Sequence, residues 1–242
     1  GSTTYSLFEL GLHAATTGMG TFLKFINFNG SQYIAQGNWL GKLNAGRTAY
    51  TVVWAYPITF TDVIPSLNSR LYIYLGDSSN YWYMSTAEAF TASNSANANF
   101  GAQHDNKLFK INTSGTVAFS TDPDGAGPTW TAGGSITDIA SQVQGLRQGR
   151  DASGSYTLYA VTKTILKAYD ATTPQWVDTE VRLPNHPNGG KGHAYSNGNL
   201  YLSYGLAIKE YNPETGASPD IGLTSRDGLP VEYNGEITCI YG

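Results

Sequence analysis

Short apolar runs recur along the whole chain, each closed within about ten residues by Gly, Asn, Asp or Pro. Runs of that length with such punctuation predict β-strands joined by tight turns rather than amphipathic helices. Four of them centre on a tyrosine: QYIAQG at Tyr33, LYIYLG at Tyr72, TLYAVT at Tyr159 and LYLSYG at Tyr201. A second signal follows each, namely WLGKLNAG from Trp39, KLFKINTSG from Lys107, ILKAYDATT from Ile165 and AIKEYNPETG from Ala207. A third precedes each tyrosine run: FLKFINFNG from Phe22, ITFTDVIPSL from Ile58, ITDIASQV from Ile136 and GHAYSNG from Gly192. A fourth comes last: TAYTVVWAY from Thr48, VAFSTD from Val117, WVDTEVRL from Trp176 and SPDIGL from Ser218.

Lettered a to d in chain order, these strands repeat as one unit, and a unit of four antiparallel strands hides its apolar surface only against its neighbours. The expected fold is therefore all-β, a β-propeller or partial propeller of about four four-stranded blades spanning 22–57, 58–135, 136–191 and 192–235. A β-sandwich is the competing architecture, since short strands with regular turns suit it too. The ends extend the register: YSLFELGL resembles a d strand and EITCIYG an a strand, so a fifth blade is split between 5–11 and 236–242. Either the ends pair to close a small ring, or the chain is a piece of a larger propeller; the second is the preferred expectation. Exposed edges of a split blade would invite self-association.

Composition agrees with this picture. Aromatics are 13% of 242 residues, with 17 Tyr, and 28 Gly supply turn positions, whereas charged residues are only 13%, too few for long solvated helices. One domain is expected at this length. The net charge of −4 and the absence of Lys/Arg runs argue against a nucleic-acid partner. Cys239 is the single cysteine, so neither an intrachain disulfide nor a cysteine zinc site is available. No apolar stretch has the length of a membrane span, and the amino end shows no signal-peptide pattern, so no membrane insertion is expected.

Antiparallel order brings the b-to-c and d-to-a connections to one face. The second unit carries a long insertion there, Asp77 to Asn106, containing Tyr81, Trp82, Tyr83 and His104. Long loops in compact domains are commonly functional, and an exposed aromatic would stack on a sugar or anchor a protein. The competing reading makes YWYMST an extra strand, with Tyr81 and Tyr83 on one side and Trp82 on the other. Two d-to-a loops open on the same face: 183–193 offers His186, Lys191 and His193, and 224–236 offers Asp227, Glu232, Tyr233 and Asn234. These would give donors and acceptors to a glycan or protein ligand, against the plainer reading of solvated turns.

Little else carries chemistry. Ser120–Trp130, STDPDGAGPTW, resembles an Asp-box, but the gap from Gly125 to Thr129 and Trp130 is too long. Asp122 and Asp124 lack the later carboxylate of a calcium loop, and His13, His104, His186 and His193 are scattered, so neither metal nor cofactor is assigned. Asp62, Asp138 and Glu236, in or beside a strands, are the candidates for paired carboxylates in the alternative reading, a glycan-active hydrolase or lyase at the central channel.

The segments AYPITFTDVIPSLNSRLYIYLGDSSNYWYMSTAEAF, HDNKLFKINTSG and DGLPVEYNGEIT resemble propeller repeats in proteins of environmental tailed phages, over most of 50–242. That resemblance implies a virion- or tail-associated structural role, in an extracellular setting, and carries over no active-site residue. A local stretch, Gly222 to Pro230, resembles the propeller repeat of two-component regulators and supports the blade register alone.

Overall fold

In the computed structural model, residues 23–46, 48–66, 69–94, 98–125, 127–137, 142–186, 189–203 and 207–221 are described, with the backbone of 228–233 and 236–241. The chain is all-β and forms a β-propeller. Blade 1 comprises β1 (Leu23–Phe28), β2 (Ser31–Gln36), β3 (Trp39–Leu43) and β4 (Tyr50–Ala55). Blade 2 comprises β5 (Asp62–Ser66), β6 (Arg70–Tyr74), β7 (Trp82–Met84) and β8 (Phe90–Ala92). Blade 3 follows as β9 (Phe100–His104), β10 (Lys107–Ile111), β11 (Thr116–Ser120) and β12 (Thr131–Ser135). Blade 4 is β13 (Val143–Arg150), β14 (Tyr156–Thr162), β15 (Ile165–Asp170) and β16 (Gln175–Arg182). Blade 5 is β17 (His193–Ser196), β18 (Asn199–Ser203), β19 (Ile208–Tyr211) and β20 (Asp220–Ile221). Each is an antiparallel meander in sequence order. A hairpin of β21 (Gly228–Tyr233) and β22 (Glu236–Tyr241) stands after them, and β21 packs against both β17 and β1, so that the first strands of successive sheets form a closed circuit.

The unit 58–135 is therefore two blades. The stretch from Asp77 to Asn106, expected as a loop insertion, contains β7, β8 and β9. KLFKI is a b strand rather than a c strand, because it pairs with β9 across the two-residue turn Asp105-Asn106. Both turn residues take positive φ (46° and 53°), as do Asn29-Gly30 and Asn197-Gly198 in the corresponding hairpins of blades 1 and 5. Positive φ at both positions is the twist-compatible geometry of a two-residue hairpin, and Asn, Asp and Gly tolerate it best. In blade 4 the inner strand begins at Val143, the last residue of the segment ITDIASQV that was expected to form it. The proposed partner strand at 5–11 lies outside the described residues. At the other end EITCIYG pairs with GLPVEY, and the backbone of GLPVEY holds the position nearest the axis.

Burial explains why the second strands read as continuous apolar runs. β6, β10 and β14 each lie between two neighbouring blades, so Leu71 to Tyr74, Leu108 to Ile111 and Thr157 to Thr162 are buried on both faces. The outer strand β16 is mostly exposed instead, burying only Trp176 and Val181. Each apolar cluster joins adjacent blades: Ile26, Tyr33 and Leu40 meet Val63, Ile73 and Met84, while Phe109 and Val117 meet Leu158 and Trp176. The core is thus a series of inter-blade seams, as stacking of one-sided units requires.

The repeated tyrosine is part of those seams. Tyr33 Oη donates to Glu88 Oε1 of blade 2 (2.9 Å), which also takes Lys42 Nζ (2.5 Å). Tyr72 Oη donates to Asp124 Oδ1 of blade 3 (3.4 Å), whose other oxygen takes Arg70 Nε (3.0 Å). In blade 3 the equivalent residue is Phe109, which meets Tyr169 of blade 4 edge-on at 5.3 Å. Asp124 thus has a structural task, holding blade 3 on blade 2. Asp124→Ala should lower unfolding free energy by about 1–3 kcal/mol in urea titration, because it leaves Arg70 and the buried Tyr72 hydroxyl without this acceptor. An unchanged midpoint would show that the latch contributes nothing.

Candidate functional site

The inner strands run in the same sense, each entered from a d-to-a connection, so their first residues gather at one mouth of the axis. Charge collects on these inner strands. Lys24 is the second residue of β1, Asp62 the first of β5, His193 the first of β17, and Arg147 lies midway along β13. Lys24 Nζ donates to Asp62 Oδ1 at 2.8 Å. The same oxygen accepts from the Val63 N–H at 2.8 Å, and Oδ2 accepts from the Gly101 N–H of β9 at 3.2 Å. Three elements therefore fix this carboxylate, which is only 7% exposed.

His193 is seated by a glycine. A methyl placed on Gly145 would lie 2.3 Å from the imidazole Cε1 and 2.6 Å from Nε2, so the ring occupies the volume that any other residue at 145 would fill. The register of β13 slips just before this point, between Val143 and Gly145, which turns Gly145 toward β17. His193 Nδ1 contacts the Gly190 carbonyl at a long 3.4 Å; since a carbonyl only accepts, this contact places the proton on Nδ1. Desolvation, then the positive charges of Arg147 and Lys24, push the imidazole pKa down to about 4, with Asp62 opposing. Burial also lowers the pKa of Arg147, with Asp62 again opposing. Below the Gly101 N–H, the Tyr74 hydroxyl is fully buried without a hydrogen-bond partner.

A neutral folded-state histidine has a definite stability consequence. The unfolded imidazole takes its proton near 6.5 and the folded one near 4, so stability is intact above about 6.5 and falls as pH drops through that window. The expected loss from this residue is on the order of 2–3 kcal/mol by pH 4. Comparing His193→Gln with the wild type isolates it: the variant's urea midpoint should fall less between pH 7 and pH 4. Parallel curves would mean that the ring is solvated.

The residues singled out in sequence are not brought together. Tyr81 is wholly buried, donating from Oη to the Pro123 carbonyl at 2.5 Å and packing against Tyr72, Tyr74 and Trp130. It is core, not an anchor, because β7 continues the sheet of blade 2. Trp82 and Tyr83 are half-buried on opposite sides of β7. Trp82 joins Trp54, Tyr56 and Phe90 between blades 1 and 2, and Tyr83 lies under the Arg70 guanidinium at 5.7 Å. His104 ends β9 beside an a-to-b turn, hence on the opposite face from the d-to-a loops, and is buried against Phe109. In the 183–193 loop, Lys191 is exposed, His186 half-buried, and His193 alone of the three has been placed at the axis. Asp138, Asp227 and Asn234, and the side chains of Glu232, Tyr233 and Glu236, lie outside the described residues. Among the described residues no three His, Cys, Asp or Glu side chains converge as metal ligands.

Sequence reading missed Lys24 and Arg147. Gly145 and Gly149 lie four residues apart within a strand-like run, and strand glycines often mark close approach of a neighbouring group; here the neighbours are His193 at Gly145, and Tyr159 with Tyr195 at Gly149.

No protein-family model and no curated protein matches this chain. Solved structures do. A streptogramin B lyase is similar with TM-score 0.69 and 12% identity, covering 92% of this chain and 76% of the other. A catalytically inactive virginiamycin B lyase from Staphylococcus aureus with quinupristin gives TM-score 0.67 at 12% identity, covering 93% and 79%. The extracellular domain of a one-component system from B. thetaiotaomicron gives 0.64 at 11%, covering 93% of this chain but 32% of the other, so this chain spans about a third of that protein's length. At such identities these similarities establish the propeller fold alone.

Proposed function

We propose that this propeller is a non-catalytic recognition module, of a virion or another extracellular surface, that takes a glycan or protein ligand at the axial mouth and the d-to-a loops around it. The observation carrying this reading is the set of charged and polar side chains on the inner strands, Lys24, Asp62 and His193 at that mouth and Arg147 midway along β13, contributed by four separate blades. Concave sites with a few placed polar groups are the usual form of a ligand site. The sequence resemblance to phage propeller repeats supports the virion setting, and the extracellular domain among the structural neighbours is compatible with an outward-facing role.

The test is a glycan array, with candidate surface proteins spotted beside the sugars, probed with the wild type and Gly145→Ala. The added methyl displaces the His193 ring. Selective binding that the folded variant loses supports the reading. Binding unchanged by the substitution moves the site away from the axis.

One observation favours a second reading, a hydrolase or lyase. His193 is neutral and lies within electrostatic reach of Asp62 and Arg147, as a general base at the axis would. Against it, Asp62 is already held by Lys24 and two backbone N–H groups. Release of new reducing ends from array-selected polysaccharides, abolished in His193→Gln, would establish turnover; intact polymer would leave recognition.

A further inference from the structure

Away from the axis, we propose that the tip of the blade 4 hairpin is a second contact site, on the a-to-b face opposite the mouth, where the Tyr156 ring and the Arg150 guanidinium together take one acidic sugar unit. β13 has eight residues and the other inner strands of the five blades four to six, so this hairpin runs on past the seam it shares with blade 3. One side of it carries the cross-strand pairs Leu146 with Ala160, Gln148 with Leu158 and Arg150 with Tyr156. Leu158 is wholly buried there in the cluster of Phe109 and Val117, whereas Tyr156 on the last rung is 57% exposed. Local hydrogen bonds hold that rung. Tyr159 Oη donates to the Arg150 carbonyl at 2.7 Å, and Asp151 Oδ1 closes the turn by accepting from the Ser153 N–H (2.8 Å), Ser153 Oγ (2.6 Å) and the Ser155 N–H (3.0 Å).

The Arg150 guanidinium lies over one face of the Tyr156 ring, 4.4 Å from its centroid, and leaves the other face to solvent. Its Nη1 donates to the Gly154 carbonyl (2.5 Å) and its Nη2 to Tyr156 Oη (3.3 Å). Both acceptors are neutral, and among the described residues no carboxylate pairs with Arg150. A guanidinium has five N–H donors, and one stacked on a ring still presents its edge to a carboxylate in the two-pronged geometry that suits it. Charge thus selects an anionic ligand, and the size of the apolar surface selects its class. A stable protein contact needs roughly 1,000 Å² with an apolar centre, whereas the last rung offers one ring among the polar turn residues Asp151, Ser153 and Ser155. One tyrosine ring matches the C–H face of one pyranose, and its hydroxyl stays hydrated or bonded at the rim. A pyranose bearing a carboxylate uses ring and guanidinium at once.

Saturation-transfer NMR and titration of the whole chain at neutral pH and low salt, with trigalacturonate, neutral maltotriose and hexaglutamate, test this. Trigalacturonate should bind, with transfer strongest at its ring C–H protons, and maltotriose and hexaglutamate should bind at least about tenfold more weakly, the worth of one charge-assisted hydrogen bond. Tyr156→Ala and Arg150→Gln each replace an exposed side chain, keep the fold by circular dichroism, and should each weaken trigalacturonate about tenfold; raised salt should weaken it in the wild type. No trigalacturonate binding, maltotriose binding as tight, tighter hexaglutamate, which would make the tip a peptide contact, or full affinity in both variants would overturn the proposal. His193→Gln, which alters only the axial mouth, should leave the affinity unchanged. Trigalacturonate binding lost in His193→Gln and kept in Tyr156→Ala would uphold recognition at the axis and remove the hairpin site.

Discussion

Tyr81→Ala should destabilise the protein by about 3–5 kcal/mol, the cost of emptying a fully buried aromatic site. At this chain length that corresponds to a melting temperature lower by roughly 10 °C or more. The ring contacts Tyr72, Tyr74 and Trp130, and these cannot collapse into the vacated volume without breaking the seam between blades 2 and 3. Tyr81→Phe keeps the ring and removes only the hydroxyl that donates to Pro123, a loss of about 1 kcal/mol. Thermal and urea unfolding of the two variants check both numbers. Folded Tyr81→Ala with unchanged stability and lost ligand binding would restore the surface-anchor role that the tyrosine's place in a long apparent loop suggests.

The second large effect is expected at Asp62. Removing the carboxylate leaves Lys24 without its ion-pair partner and the Gly101 N–H without its acceptor, near a desolvated Arg147. Breaking one half of a buried pair costs about 3–5 kcal/mol; the partial exposure of Lys24 brings the expectation for Asp62→Ala to about 2–4 kcal/mol. Asp62→Asn should lose less, because the amide oxygen still accepts from Gly101. The double replacement Lys24→Met with Asp62→Leu should recover much of the loss, since neither charge is then left alone. If Asp62→Ala unfolds at the wild-type urea midpoint, the axis is wet and its charges contribute no stability.

How far the sequence reveals this molecule depends on which interactions repeat. Four b strands were legible because they read as apolar runs and carry a tyrosine that reaches a neighbouring blade or caps its own, as Tyr33, Tyr72, Tyr159 and Tyr201 do. Blade 3 was hidden because its tyrosine is replaced by Phe109, whose seam contact is a ring edge rather than a hydroxyl. Blade 2 was shortened in sequence because β7 and β8 have three residues each, too few to show a period. The turn Asp105-Asn106 before Lys107 carried the missing signal, being the counterpart of Asn29-Gly30 and Asn197-Gly198.

The site was half legible for a related reason. Asp62 lies within the a run from Ile58 and His193 at the end of the 183–193 loop that leads into the a run from Gly192, so both were singled out, and in the structure both are the first residues of inner strands. Arg147 lies in a strand whose start the sequence places several residues too early, and Lys24 looks like an ordinary polar residue in an alternating run. Their convergence is a product of ring closure. Of the two readings of the aromatic triplet, the extra strand is the one the fold adopts: Tyr81 and Tyr83 enter the seam with blade 3 and Trp82 the seam with blade 1, as alternation along a sheet strand requires.

The most direct test of the axial assignment is amide hydrogen exchange with and without the glycan or protein that the array selects. Slowed exchange should map to β1, β5, β13 and β17 at the axial mouth and to the loop 183–193. Protection confined to β4, β7 and β8, around Trp54 and Trp82, would contradict the assignment and place recognition on the outer aromatic seam.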